Sequence, residues 1–280
     1  EVGRDYLGRE AFHGCWNGCD VALFPTTLLW EPPLAIKREP RLQLLVPTVG
    51  DDPAGDALDA SFGVIPGIVR FRPQGSDLAI QVDVFGVAHT RWYDDRLAAT
   101  SFRWGVPVTF ARGPWHAKVA YERTADRSGP FFGSPVAFGP AGLSLPANQQ
   151  FDRDDAVFGL GRYVGTDLRL YGQAAYAMTL DWPSGDPDPD RWRFDFGFEW
   201  YERCPTGLRG QPFAAANIDF RGEANYEANF TVQAGWMWRH PDLRLAQGRV
   251  FAEYYNGRSP FGPLSGRREE FVSFGIAGDY

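Results

Sequence analysis

The chain has 280 residues, of which 44% are hydrophobic and 15% aromatic, with a formal net charge of −7. That composition excludes a disordered chain, and the acidic balance argues against a general nucleic-acid binder. No run of about 18 apolar residues occurs, so no transmembrane helix is predicted; membrane-spanning strands leave only a weak alternating trace.

Residues 1–40 differ from the rest. Glu1 opens the chain without Met or an apolar leader, which reads as a mature product whose signal peptide has been removed. Cys15 and Cys19 form a C-x-x-x-C pair with no companion histidine cluster, a poor zinc site but a candidate disulfide. Pairing of Cys204 with either one is the alternative. The string "FPTTLLWEPPLAIKREPR" carries four prolines and no period, so residues 1–40 are expected to be extended or irregular.

From about residue 41 a period of two takes over, the mark of strands whose faces meet different environments. Leu78, Ile80, Val82 and Val84 alternate with Gln81 and Asp83, and His89 falls on the polar parity. Phe102, Trp104, Val106, Val108 and Phe110 oppose Arg103 and Thr109; Trp115, Ala117, Val119 and Tyr121 oppose His116, Lys118 and Glu122. Leu168, Leu170, Ala174, Tyr176, Met178 and Leu180 oppose Arg169, Tyr171, Gln173 and Thr179. In "RWRFDFGFEW" five aromatics from Trp192 to Trp200 share one parity, and Arg193, Asp195 and Glu199 share the other. Tyr226, Phe230, Val232, Trp236 and Trp238 continue the pattern against Asn229, Thr231 and Gln233.

With segments at 41–50, 59–72, 152–164, 209–221, 242–257 and 268–280, about twelve strands are predicted, an even number as in single-chain bacterial barrels. The connections alternate in length. Short turns such as "RPQGSD", "ARGP", "VGTD", "CPTGLR" and "RHPD" carry Gly or Pro, whereas "TVGDDPAGDALD", "HTRWYDDRLAA", a stretch near 125–151, "DWPSGDPDPD", "RGEANY" and "NGRSPFGPLSGRR" are longer. Strands longer than the globular mode, small residues on the polar parity, tryptophans near strand ends and a final aromatic at Tyr280 point to an all-β fold. The expectation is a transmembrane up-and-down antiparallel β-barrel over 41–280, in the bacterial outer membrane, preceded by an N-terminal periplasmic segment over 1–40. Its apolar parity then faces lipid and its charged parity the lumen.

The strings "FPTTLLWEPPLAIKREPR", "TSFRWGVPVTFARGPWHAKVAYERT", "DLRLYGQAAYA", "CPTGLRGQPFAAAN" and "NFTVQAGWMWR" resemble the uncharacterised family labelled domain of unknown function 1207. The similarity runs in order from about Leu23 to Tyr280. It implies a bacterial envelope protein and brings no activity, cofactor or catalytic residue.

No His-x-Ser pair and no G-x-S-x-G occurs, and no enzyme activity or cofactor is predicted. His116, beside Lys118 and Glu122, reads as a wall histidine in a polar network. Asp186, Asp188 and Asp190 have calcium-like spacing without the rest of an EF-hand loop, a weak metal candidate. The predicted lumen set is Arg103, Lys118, Glu122, Arg169, Arg193, Asp195, Glu199, Asp219, Arg249 and Glu253. Wet, these groups line a narrow porin-like channel for small polar solutes and set its selectivity. Dry, they must pair with one another, and the chain is a closed structural or scaffolding barrel whose residues 1–40 contact other envelope proteins. A lipid- or glycan-acting enzyme ranks third.

Overall fold

The computed structural model describes residues 12–16, 19–50, 57–93, 96–128, 150–181, 189–203, 206–239 and 247–279. They form sixteen strands and two single 3₁₀ turns: β1 (Phe12–Trp16), β2 (Cys19–Leu23), β3 (Leu42–Gly50), β4 (Ala57–Val64), β5 (Gly67–Pro73), β6 (Leu78–Asp83), β7 (Phe85–Tyr93), β8 (Arg96–Arg112), β9 (Trp115–Ser128), β10 (Gln150–Val164), β11 (Leu168–Asp181), β12 (Trp192–Trp200), β13 (Gln211–Arg221), β14 (Ala228–Arg239), β15 (Gln247–Arg258) and β16 (Arg268–Asp279). The turns cover Gly222–Ala224 and Gly262–Leu264.

β4 with β5, and β6 with β7, each make one long wall strand with a short interruption, and together they form a hairpin. Twelve wall strands therefore run antiparallel, neighbour to neighbour. β16 pairs β3 to join the ends of the meander, and β8 pairs β9 to complete the ring. The chain is a closed twelve-stranded antiparallel barrel, an all-β fold with a β-period throughout. Closure leaves the wall no free edge, which is the condition for strands to stand in hydrocarbon.

The two parities have opposite surroundings. On β12, Phe196 is 50% and Trp200 46% exposed on the outside, whereas Asp195 is 6% and Glu199 0% exposed on the inside. Phe62, Leu160, Phe274 and Ile276 continue the outward apolar belt. Apolar outside and charged inside inverts the distribution of a water-soluble barrel and matches a barrel set in lipid.

The turns at one end, such as 113–114 and 165–167, are short; this is called the short-turn end below. At the other, one link differs from expectation. "HTRWYDDRLAA" reads as a long loop, but β7 continues to Tyr93 and β8 begins at Arg96. The reason is that His89, Arg91 and Tyr93 keep the inward parity and remain buried, so the ladder extends instead of ending.

The N-terminal residues also depart from an irregular segment outside the barrel. β1 and β2 form a hairpin whose second strand pairs β5, from Cys19 opposite Pro73 to Leu23 opposite Val69. β3 takes up the same neighbouring wall strand higher up, with Leu42 opposite Phe62. Between these two ladders, residues 24–41 leave the wall and run through the barrel interior, where Trp30, Leu34, Ala35 and Arg41 are buried. The candidate Cys15–Cys19 bridge is corrected: Cys19 is a free thiol. In the hairpin register Cys15 stands opposite Asp20 and Cys19 opposite Trp16, so the cysteines are not cross-strand partners. Cys204 lies outside the described residues.

The belt predicts a directional cost. Leu160→Arg, on the outward face, should lower folding stability in lipid by about 2–4 kcal/mol if it lies near the bilayer midplane. Denaturant titration of folded against unfolded gel mobility measures this, and an unchanged midpoint would refute a lipid-facing Leu160.

Candidate functional site

The polar chemistry of the chain is concentrated in the lumen, where residues 24–41 form a strap across the interior. Four prolines keep the strap out of any ladder, and side chains secure it instead. Arg70 donates to the Thr27 carbonyl at 2.6 Å, His116 Nδ1 lies 2.5 Å from the Leu29 carbonyl, and Arg103 donates to the Arg38 carbonyl at 2.8 Å. In the other direction the Leu34 N–H donates to Glu199 at 2.5 Å.

Trp30 is the strap's apolar anchor. It is 2% exposed, with the Lys118 ammonium 5.7 Å and the Arg169 guanidinium 5.0 Å from its ring centroid. Opposite it the wall carries Gly159, where a Cβ would sit 2.9 Å from the indole. The small residue on the inward parity makes the space that the tryptophan fills.

Three strap cations meet three wall carboxylates on separate strands. Lys37 pairs Glu253, Arg38 pairs Asp126 at 3.3 Å, and Arg41 lies 3.5 Å from Asp279. Arg41 also donates to the Pro33 and Leu34 carbonyls, folding the strap back on itself. Toward the short-turn end the polarity reverses: Glu31 accepts from the Tyr201 hydroxyl at 3.0 Å and from Arg239 at 3.4 Å. Burial alone would raise the Glu31 carboxyl, but Arg239, Arg203, Arg169 and the Tyr201 hydroxyl outweigh it and hold it down to about 2.

The wall charges pair among themselves. Arg103 binds Glu122, which also accepts from Lys118 at 3.3 Å; Arg169 binds Glu199 at 3.0 Å and Arg249 binds Asp279 at 2.8 Å. Asp195 and Asp219 stand directly opposite on β12 and β13, which would repel. Arg193, 3.5 Å from Asp195, and Arg221, 3.0 Å from Asp219, flank them, and Asn217 and Asn229 donate to the same carboxylates. All ten predicted lumen residues thus lie on the inward face; nine are linked to each other or to the strap, Arg249 by way of Asp279, and Asp219 is held by Arg221 and Asn229.

Other members were missed. Arg91 bridges Asp59 and Glu269, each at 2.6 Å, and Arg153 joins Asp155 at 2.7 Å and Glu223 at 3.2 Å. Their parity was the available signal, since Asp59 and Arg91 sit two residues from the inward Ser61 and His89. Asp126 accepts from the Gly262 N–H at 2.7 Å, which draws the β15–β16 link inward over the end opposite the short turns. Of the weak metal candidates, Asp186 and Asp188 lie outside the described residues; Asp190 is exposed. Among the described residues no cluster of His, Cys, Asp or Glu could hold a metal ion.

Between strap and wall lies a cavity of about 20 Å³, lined in part by Lys37, Arg38, Asp59, Ser61, His89 and Ser101. That is room for about one water. Ser61 Oγ is 2.7 Å from His89 Nδ1, while His89 Nε2 and Ser101 Oγ lack a protein partner.

No family model and no curated protein matches the chain. Solved structures do. Outer membrane phospholipase from Salmonella typhi, a dimer with bound calcium, aligns at TM-score 0.50 and 9% identity over 86% of this chain and 90% of that one. Outer membrane phospholipase A from Escherichia coli aligns at 0.49 and 10% over 89% and 95%. The β domain of the Bordetella autotransporter BrkA aligns at 0.44 and 12% over 86% and 98%. At these identities the likeness concerns the outer-membrane β-barrel fold alone.

Two outcomes follow from the strap's anchoring. Gly159→Leu should drive Trp30 from its groove, so that trypsin cleaves the folded barrel at Lys37, Arg38 or Arg41, sites protected in the wild type; continued protection would refute the anchor. Because the Glu31 pKa is depressed on folding, its stabilisation is complete above about pH 4.5 and is lost as pH falls toward about 2. Thermal unfolding in detergent across that window should show a smaller acid-induced drop for Glu31→Gln than for wild type.

Proposed function

We propose that this chain is a bacterial outer-membrane barrel held closed by its own N-terminal strap, a structural component of a larger envelope assembly rather than an open diffusion channel. The observation that carries this reading is the fate of the lumen charges. Glu122, Arg169, Glu199, Arg249 and Glu253 are at most 2% exposed, and each has a counter-charge in the wall or the strap. A porin-like path for small polar solutes needs those groups wet. The cavity between Lys37, Arg38 and the wall has room for about one water, which supports a closed interior.

The outward apolar belt supports a membrane location, and short turns at one end support a periplasmic placement of that end. The resemblance to the family labelled domain of unknown function 1207 agrees with an envelope protein and leaves its activity open. Within residues 1–40 the hairpin β1–β2 stays in the wall ladder beside the short turns, which supports a role for it in contacts with other envelope proteins.

Planar-bilayer recording tests the reading. Wild-type protein should show no stepwise conductance. Leu23 and Leu42 face wall residues seven apart, about 23 Å at about 3.3 Å per residue, so a Gly/Ser linker of about eight residues can replace 24–41. That variant should conduct. Steps from the intact wild type would favour the porin-like reading, and a folded linker variant that stays closed would show that the strap is not the occluding element.

A further inference from the structure

The turn between β12 and β13 contains the most exposed large apolar side chain among the described residues. Leu208 is 95% exposed, whereas the outward belt residue of highest exposure, Phe62, reaches 63%. The turn is also held firmly against the outside of the barrel. Trp236 and Trp238 share the outward parity of Phe230 and Val232 on β14. Their indole N–H groups donate to the Arg209 carbonyl at 2.9 Å and the Leu208 carbonyl at 3.2 Å. Gly207 and Gly210 take left-handed φ values of 57° and 65°, and a Cβ at Gly210 would lie 2.4 Å from the Trp236 nitrogen. Thr206 closes the base, its N–H donating to the Arg239 carbonyl at 3.1 Å and its Oγ accepting from the Arg239 N–H at 3.0 Å.

We propose that residues 206–210 form an interfacial lipid anchor: Leu208 seats among the acyl chains of the leaflet at the short-turn end, and Arg209 meets a phospholipid phosphate. Interfacial tryptophans ordinarily aim their N–H groups at headgroups and water. Here two of them aim at main-chain carbonyls of the turn, so the turn occupies the headgroup layer, continuous with the apolar belt. At that depth Leu208 reaches hydrocarbon and the exposed guanidinium of Arg209 stays with the phosphates. A turn projecting into water would gain nothing from a bare leucine or from two indoles fastened to its back. The anchor rests on the barrel standing in a bilayer.

The test labels single cysteines with bimane in a background of Cys15→Ser, Cys19→Ser and Cys204→Ser. The protein is reconstituted in vesicles of phosphatidylethanolamine and phosphatidylglycerol. Leu208→Cys is compared with the belt position Phe158→Cys and with Ser76→Cys, in another turn at the same end. The expected result is blue-shifted emission at 208, quenched by shallow nitroxide lipids and protected from aqueous iodide, with 76 the reverse. Adding Gly210→Val, which pushes the turn off Trp236, should move the probe at 208 into water while the probe at 158 is unchanged. Iodide quenching at 208 with lipid quenching at 158 would overturn the anchor and leave the membrane reading intact, as a leucine awaiting a protein partner would behave. Iodide quenching at 158 as well would overturn both.

Discussion

Charges enclosed in a narrow barrel must find opposite charges within reach, because the wall excludes the water that would otherwise solvate them. In this chain that requirement links elements far apart in sequence. The wall strands present acids and bases facing one another, and the strap supplies the partners that the wall lacks: Lys37 for Glu253, Arg38 for Asp126, and Glu31 for Arg239. Removing one partner would leave an uncompensated buried ion, a more damaging change than replacing a pair with apolar residues. The strap is therefore part of the barrel's electrostatic balance as well as an object inside it.

The same balance bears on function. A conducting pore keeps its lining charges hydrated and mobile, whereas here guanidinium groups lie against aromatic rings and carboxylates. Arg91 illustrates the difference: it is held by two acids and lies 4.9 Å from the ring centroid of Phe261 on the inward-drawn link. The interior resembles a polar protein core, and a surface displayed outside it is the natural place for any encounter.

Much of the wall was legible in the sequence because a period of two survives whatever the strands pack against. Trp192 to Trp200 reads as an outward stripe and Asp195 and Glu199 as inward groups from parity alone, and the structure places them so. The hairpin β7–β8 reads too short in the sequence, since "HTRWYDDRLAA" looks like a long polar link and the inward burial of Tyr93 is invisible locally. A plug made by residues 1–40 stays open in the sequence, but which of them enter the barrel is not legible there. The strap's prolines announce only that it makes no ladder, and its partners Asp126 and Glu253 lie about 90 and about 216 residues away. Gly159 reads as a small inner-wall residue, but that Trp30 fills the space it leaves is a tertiary fact.

The strap's position has a consequence for biogenesis. The ring is sealed where β3 meets β16, the first complete wall strand and the last. Closure therefore waits for the C-terminal strand, while residues 24–41 are already tethered between β2 and β3 from early in the chain. Sealing the ring and enclosing the strap become a single event, and a chain that closed with the strap outside would trap unpaired acids in its lumen. Correct loading of the interior is thus checked by the same step that completes the barrel.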